Sequence, residues 1–164
     1  MTRMKWLVIG TAVASVMACG GSPSAPTPPA NIAGSYNASV TASATCSANL
    51  PSETRVLNYA AEVSQTGATA VVQFIPHGGS AVTASATVSG QTINFPSMSL
   101  SGTTGAGAVS IVATGTANVD ANGEIAGTLS GTYQLASGTN CNATNHQIQW
   151  KKAGVVPFPP PTSH

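Results

Sequence analysis

An alternation of apolar with hydroxyl- or amide-bearing residues recurs along most of the chain, from Ser35 to Trp150, and it leaves few folds open. Successive side chains of an extended strand point to opposite faces, so a period of two marks strands buried on one face and wet on the other. Tyr36, Ala38, Val40 and Ala42 interleave with Ser35, Asn37, Ser39 and Thr41, and Leu57, Tyr59, Ala61 and Val63 repeat the pattern. A third set is Ala68, Ala70, Val72 and Phe74, with Val71 and Ile75 on the other face; a fourth is Val82, Ala84, Ala86 and Val88. Ile93 and Phe95 are followed by Met98 and Leu100 at opposite parity. A one-residue slip flips every side chain, so Pro96 is expected at a bulge or bend. Val109, Ile111, Ala113, Ala117 and Val119 predict a sixth strand. Ile125, Leu129, Tyr133 and Leu135, with Gly127 and Gly131 on the same face, predict a seventh, and His146, Ile148 and Trp150 an eighth.

The connections suit hairpins. Gln65-Thr66-Gly67, Ser89-Gly90-Gln91 and Asp120-Ala121-Asn122-Gly123 place Gly or Asn where positive φ is needed. Short strands at even spacing predict an all-β, antiparallel fold. The expectation is an up-and-down meander of about eight strands closing into a small barrel, with a β-sandwich as the alternative. No stretch after residue 18 carries a helical period.

The first eighteen residues differ. Arg3 and Lys5 precede a mostly apolar run from Trp6 to Ala18, the build of a secretory signal and too short for a spanning helix. Val16-Met17-Ala18-Cys19 resembles the bacterial lipobox, although Met17 is an unusual choice at its tolerant position. The resemblance implies diacylglycerol on the Cys19 sulfur, cleavage before Cys19 and acylation of the new amino terminus. An ordinary secretory signal with a chance cysteine is the alternative. Gly20 is not the Asp that retains enteric lipoproteins at the inner membrane, so the expected location is the cell envelope, with the outer membrane favoured. The chain then divides into a signal peptide (1–18), a lipid-anchored Pro/Gly/Ser tether (19–30), a barrel domain (31–152) and a Pro-rich tail (153–164). Neither the tether nor the tail has apolar periodicity to order it by burial.

With Cys19 lipid-modified, Cys46 and Cys141 remain, and an even pair in an exported protein reads as a disulfide. Cys46 is expected at the end of the first strand and Cys141 just before the last. In an up-and-down barrel those strands pair antiparallel, so closure brings the two cysteines together. A sandwich does not require that.

The opening Ile32-Ala33-Gly34-Ser35-Tyr36-Asn37 resembles that of calycin barrels, the lipocalin and avidin-like group, where Gly-x-aromatic begins the first strand. In lipocalins the aromatic is usually Trp, packed by an Arg from the last strand. Here Tyr36 and the pair Lys151-Lys152 stand in those places, implying a weaker cation–π contact. The resemblance spans a few residues at each end of the domain. It implies architecture and carries over no ligand set.

Charge narrows function further. After Cys19 the cations are Arg55, Lys151 and Lys152 and the anions Glu53, Glu62, Asp120 and Glu124. No basic stripe exists to displace counterions from a phosphate backbone, which argues against nucleic acid as a partner. The histidines (His77, His146 and His164) show no metal-ligand spacing. His77 is expected in an exposed turn, and His146 inward as a hydrogen-bonded structural residue rather than a base. The carboxylates form no dyad. Gly102-Thr-Thr-Gly105-Ala-Gly107 lacks the Lys and helix of a phosphate cradle. No enzyme activity, cofactor or metal is expected.

The interior set is the informative part. Tyr36, Tyr59, Phe74, Phe95, Tyr133 and Trp150 are its bulky members among many Ala and Gly. Eight strands enclose a space that side chains fill or that holds one small ligand. Those six residues are therefore candidates to line a cavity for a small apolar molecule. The competing expectation is a filled barrel with a structural or protein-interaction role, its Ser/Thr/Asn outer face being the contact surface.

Overall fold

Alternation sorts this chain into strands with one dry face, and the dry faces meet around a single axis. The computed structural model describes residues 27–77 and 79–154. Its elements are β1 (Gly34–Thr41), a one-turn helix α1 (Ala44–Ser47), a 3-10 turn (Ser52–Thr54), β2 (Val56–Thr66), β3 (Thr69–Pro76), β4 (Val82–Ser89), β5 (Thr92–Thr104), β6 (Gly107–Val119), β7 (Ile125–Leu135) and β8 (Asn140–Lys152). Each strand pairs antiparallel with the next, and β1 also pairs with β8 from Tyr36↔Lys152 to Thr41↔Gln147, closing an eight-strand up-and-down barrel. A sandwich is excluded because β1 is hydrogen-bonded along both sides.

The facing follows the alternation. Tyr36, Val40, Leu57, Val72, Ile93, Leu100, Ile111, Leu129 and Trp150 are buried, and most of the residues between them face water. This is the reverse of a membrane-spanning barrel, whose outer band is apolar. The large apolar side chains exposed among the described residues are Val56, Val71, Ile75 and Val112.

Pro96 does mark an irregularity. The β5–β6 register shifts between Phe95 and Met98, where two residues of β5 oppose one of β6, which restores Met98 and Leu100 to the core. Proline has no N–H to lose from the ladder, which suits it to a bulge. A second bulge was not foreseen. Leu129 pairs with His146 but Gly131 with Ala143, so β8 carries an extra residue between them. Both Ala143 and His146 consequently face inward although three positions apart.

The barrel has two distinct ends. At one end lie the hairpin glycines Gly67, Gly90 and Gly123, each at positive φ as expected, with the start of β1 and the end of β8. This is the terminal end. At the other, the cap end, the connection 42–55 folds over β8 and carries α1. Cys46 and Cys141 are bridged, with Cα atoms 5.6 Å apart. Their placement corrects the expectation: Cys46 is in α1 rather than at a strand end, and Cys141 lies within β8. Thr41 already meets Gln147, so the bridge pins the cap onto β8 beyond the β1–β8 seam rather than across it.

β6 and β7 approach each other most closely where glycine faces inward. A Cβ at Gly127 would collide with the Thr116 carbonyl oxygen and Ala117, and one at Gly131 with the Val112 carbonyl oxygen and Ala113. Gly131→Ala should therefore cost about 1–3 kcal/mol by overpacking, against less than about 0.5 kcal/mol for the outward Ser130→Ala, in urea denaturation. Replacing both Cys46 and Cys141 by Ser releases a loop with a sequence separation of 95. The expected loss is about 2–5 kcal/mol with the β-sheet circular dichroism retained, because the seam does not depend on the bridge.

Candidate functional site

The six candidate residues are all buried, and five form one aromatic chain. Trp150 at the end of β8 is its hub, with ring centroids 5.8 Å from Tyr36, 5.5 Å from Phe74 and 5.7 Å from Phe95. Tyr59 continues the chain edge-on to Phe74 at 5.8 Å. These tilted and edge-to-face arrangements bring the positive ring edge to the negative face. Tyr133 stands apart from this chain and packs against His146 at 4.9 Å.

Lys151 and Lys152 do not serve Tyr36 as expected. Both are exposed, and Lys152 lies over Gly123. The Tyr36 ring packs on Trp150 instead, and its hydroxyl donates to the Ile32 carbonyl oxygen at 3.0 Å. An aromatic partner one register step away removes the need for a cation.

The chain itself stops both ends of the barrel. At the terminal end Ile32 is fully buried, and its N–H donates to Gln65 Oε1 at 2.8 Å. Gln65 Nε2 donates in turn to the Ala30 carbonyl oxygen, and the Ala30 N–H to that of Gly90. At the cap end Cys46, Leu50 and Thr54 are buried by the folded connection. Its anchor is His146. The Ser43 N–H donates to Nδ1 at 3.1 Å, which leaves the ring proton on Nε2 to donate to the Gly131 carbonyl oxygen at 3.1 Å. Ser43 also caps α1 by accepting from the Cys46 N–H. Both imidazole nitrogens are thus committed to backbone, the arrangement of a structural histidine. The sequence signal for this cap was slight: Ser43 three residues before Cys46, and Pro51 before the 3-10 turn.

Two polar atoms in the interior lack a hydrogen-bond partner among the described residues, the Tyr59 hydroxyl and Trp150 Nε1. Each such group costs about 1–3 kcal/mol when left dry. The Tyr133 hydroxyl, in contrast, donates to the Val40 carbonyl oxygen at 3.1 Å. Burial pushes the Tyr59 hydroxyl up to about 12, so it remains a proton donor. Tyr133 is raised by burial and then by proximity to Tyr59, and Tyr36 by burial.

Open clefts border the cap end. One of about 670 Å³ lies between the β3–β4 connection and the ends of β5, β6 and β7, touching Pro76, Ser101, Gly102 and Leu135. A smaller one of about 150 Å³ is bordered by Leu57, Tyr59, Pro76, Gly102 and Thr103. A third, of about 790 Å³, runs along the outer wall past Asn37, Asn58, Ile75 and Gln149. Among the described residues no three His, Cys, Asp or Glu side chains cluster as a metal site. Glu62 accepts from the Ser35 hydroxyl, and Asp120 accepts from the Asn122 and Glu124 N–H groups within its turn. His77 is exposed in the β3–β4 connection. Cys19 and His164 lie outside the described residues. No protein-family model, curated protein or solved structure matches the chain.

Burial holds the His146 imidazole below its ordinary value of 6.5, the Gly131 hydrogen bond opposing this in part. The unfolded chain therefore takes up a proton that the folded chain resists. The associated stability is fully present above pH 6.5 and is lost as pH falls below it, with a slope of at most about 1.4 kcal/mol per pH unit. Urea denaturation between pH 7 and pH 5 should show this loss, and His146→Ala should remove the slope while lowering stability at pH 7.

Proposed function

We propose that this protein is a lipid-anchored module of the bacterial cell envelope whose barrel acts as a recognition and packing body through its cap end and neutral outer wall. The observation that carries this reading is the closed core. Ile32 stops one end, the disulfide-pinned cap covers the other, and the aromatic chain around Trp150 occupies the space between. A body sealed by its own chain is better suited to presenting a surface than to exchanging an internal cargo.

The lipobox resemblance at Cys19 supports the anchor. Residue 27 is eight positions further on, a reach of roughly 25 Å for an extended Pro-rich segment. The chain joins the barrel at its terminal end, so a lipid on Cys19 directs the cap end away from the membrane. Gly20 supports export to the outer membrane. The wall favours uncharged partners: from Gln73 through Asn118 its outward residues are mostly Ser, Thr, Asn, Gln, Ala and Val, with Ile75, His77 and Pro96 among them and no Lys, Arg, Asp or Glu.

A second reading, an interior carrier for a small apolar molecule lined by the six aromatic residues, is favoured by the two unpartnered polar atoms. A cargo that bonded the Tyr59 hydroxyl and Trp150 Nε1 would remove their cost. Native mass spectrometry of the protein from its own envelope separates the two. A stoichiometric noncovalent adduct beyond the acylated polypeptide replaces the surface reading, and the acylated polypeptide mass alone supports it. For the anchor, Cys19→Ser should move the protein from the membrane pellet to the soluble fraction with the Cys46–Cys141 bridge intact. Retention in the pellet after high-salt washing overturns it.

A further inference from the structure

The Tyr59 hydroxyl lies at the edge of the interior rather than at its centre. A Cβ added at Gly102 would sit 3.9 Å from that hydroxyl and 3.9 Å from Leu57 Cδ2. Gly102 borders both cap-end clefts, of about 670 and 150 Å³. Tyr59 itself lines the smaller cleft, and its hydroxyl lies beside Gly102, where β5 presents no side chain. It is inaccessible to water and has no hydrogen-bond partner among the described residues, while Tyr59 as a whole is 4% exposed.

The surroundings restrict what fits. Leu57, Pro76 and Val56 supply apolar walls, and Asn58, His77, Thr103 and Thr104 a polar rim. None of the bordering residues is Asp, Glu, Lys or Arg. The neighbouring Arg55 is turned elsewhere, its Nε donating to the Leu50 carbonyl oxygen at 3.0 Å. A charged ligand would find no counter-ion, whereas a neutral one with a single oxygen would satisfy a donor that is otherwise dry.

We infer that the cap-end cleft over Gly102 is a binding site for a small, uncharged, largely apolar molecule bearing one carbonyl or ether oxygen, which accepts the Tyr59 hydroxyl's hydrogen bond. A pocket of this kind, apolar with one placed polar group, is the usual form of a small-molecule site. It lies at the rim of the barrel and requires neither an emptied core nor a lipid on Cys19. Its failure and the failure of the envelope reading are therefore separate results.

The test uses cyclohexanone as the probe and the full chain labelled with ¹⁵N. Titration should shift the amides of Tyr59, Gly102 and Thr103 saturably. Gly102→Val should abolish those shifts by filling the approach. Tyr59→Phe should weaken the probe about fivefold, the value of one neutral hydrogen bond. It should also leave the melting temperature unchanged or raised, because the hydroxyl it removes has no partner to lose. That variant keeps the test decisive if Gly102→Val fails to fold. The site is overturned if the parent shows no saturable shift. The assignment of the hydroxyl is overturned if Tyr59→Phe binds the probe as tightly as the parent, or if its melting temperature falls as it would on losing a hidden bond.

Discussion

Everything in this barrel depends on β1 bonding to strands on both sides. Its pairing with β8 turns a meander into a closed sheet, and closure abolishes the unpaired edges through which sheets aggregate. Proteins with open sheets blunt their edges with charge, proline or bulges. The closed sheet has no edge to protect, which allows an outer wall built from hydroxyl and amide side chains with little charge. The sparse charge of the outer wall is compatible with that closed topology.

Closure also fixes what the interior must contain. Small residues on β6 and β7, with Gly127 and Gly131 admitting the backbone of the neighbouring strand, offset the volume of Trp150, Phe74, Phe95 and Tyr36 elsewhere around the ring. Interiors are packed to crystal-like density, so large rings on some strands require small residues on others. The abundance of alanine and glycine admits two readings from sequence, an empty ligand cavity or room for the aromatic chain. The ring contacts support the second for the centre of the barrel. The unpartnered Tyr59 hydroxyl lies towards the cap end, beside Gly102.

The cap depends on distant partners. Its anchor pairs Ser43 with His146, 103 residues apart, and its staple pairs Cys46 with Cys141, 95 apart. The disulfide partners were legible because only two cysteines remained after Cys19. Their positions were not, because α1 is four residues long and too short to carry a helical period. His146 was legible as inward but not as a cap anchor, since that role requires Ser43, 103 residues away, to meet it at the barrel end. Ile32 was seen as part of a strand opening, yet its work as a stopper follows from Gln65, 33 residues away, holding its backbone.

The sequence by itself determined the strand count, the facing of nearly every inward residue, the turn glycines and the bulge at Pro96. These are local: a period of two, a positive φ and a missing N–H are properties of a few consecutive residues. Only the tertiary structure decided between the expected closed barrel and the alternative sandwich, gave Thr144 and Asn145 a second bulge, stopped both ends, and left Tyr59 alone among the tyrosines without a hydroxyl partner among the described residues. Each of these rests on groups far apart in the chain meeting across the barrel. Local pattern holds no record of which residue lies opposite which until the register is closed.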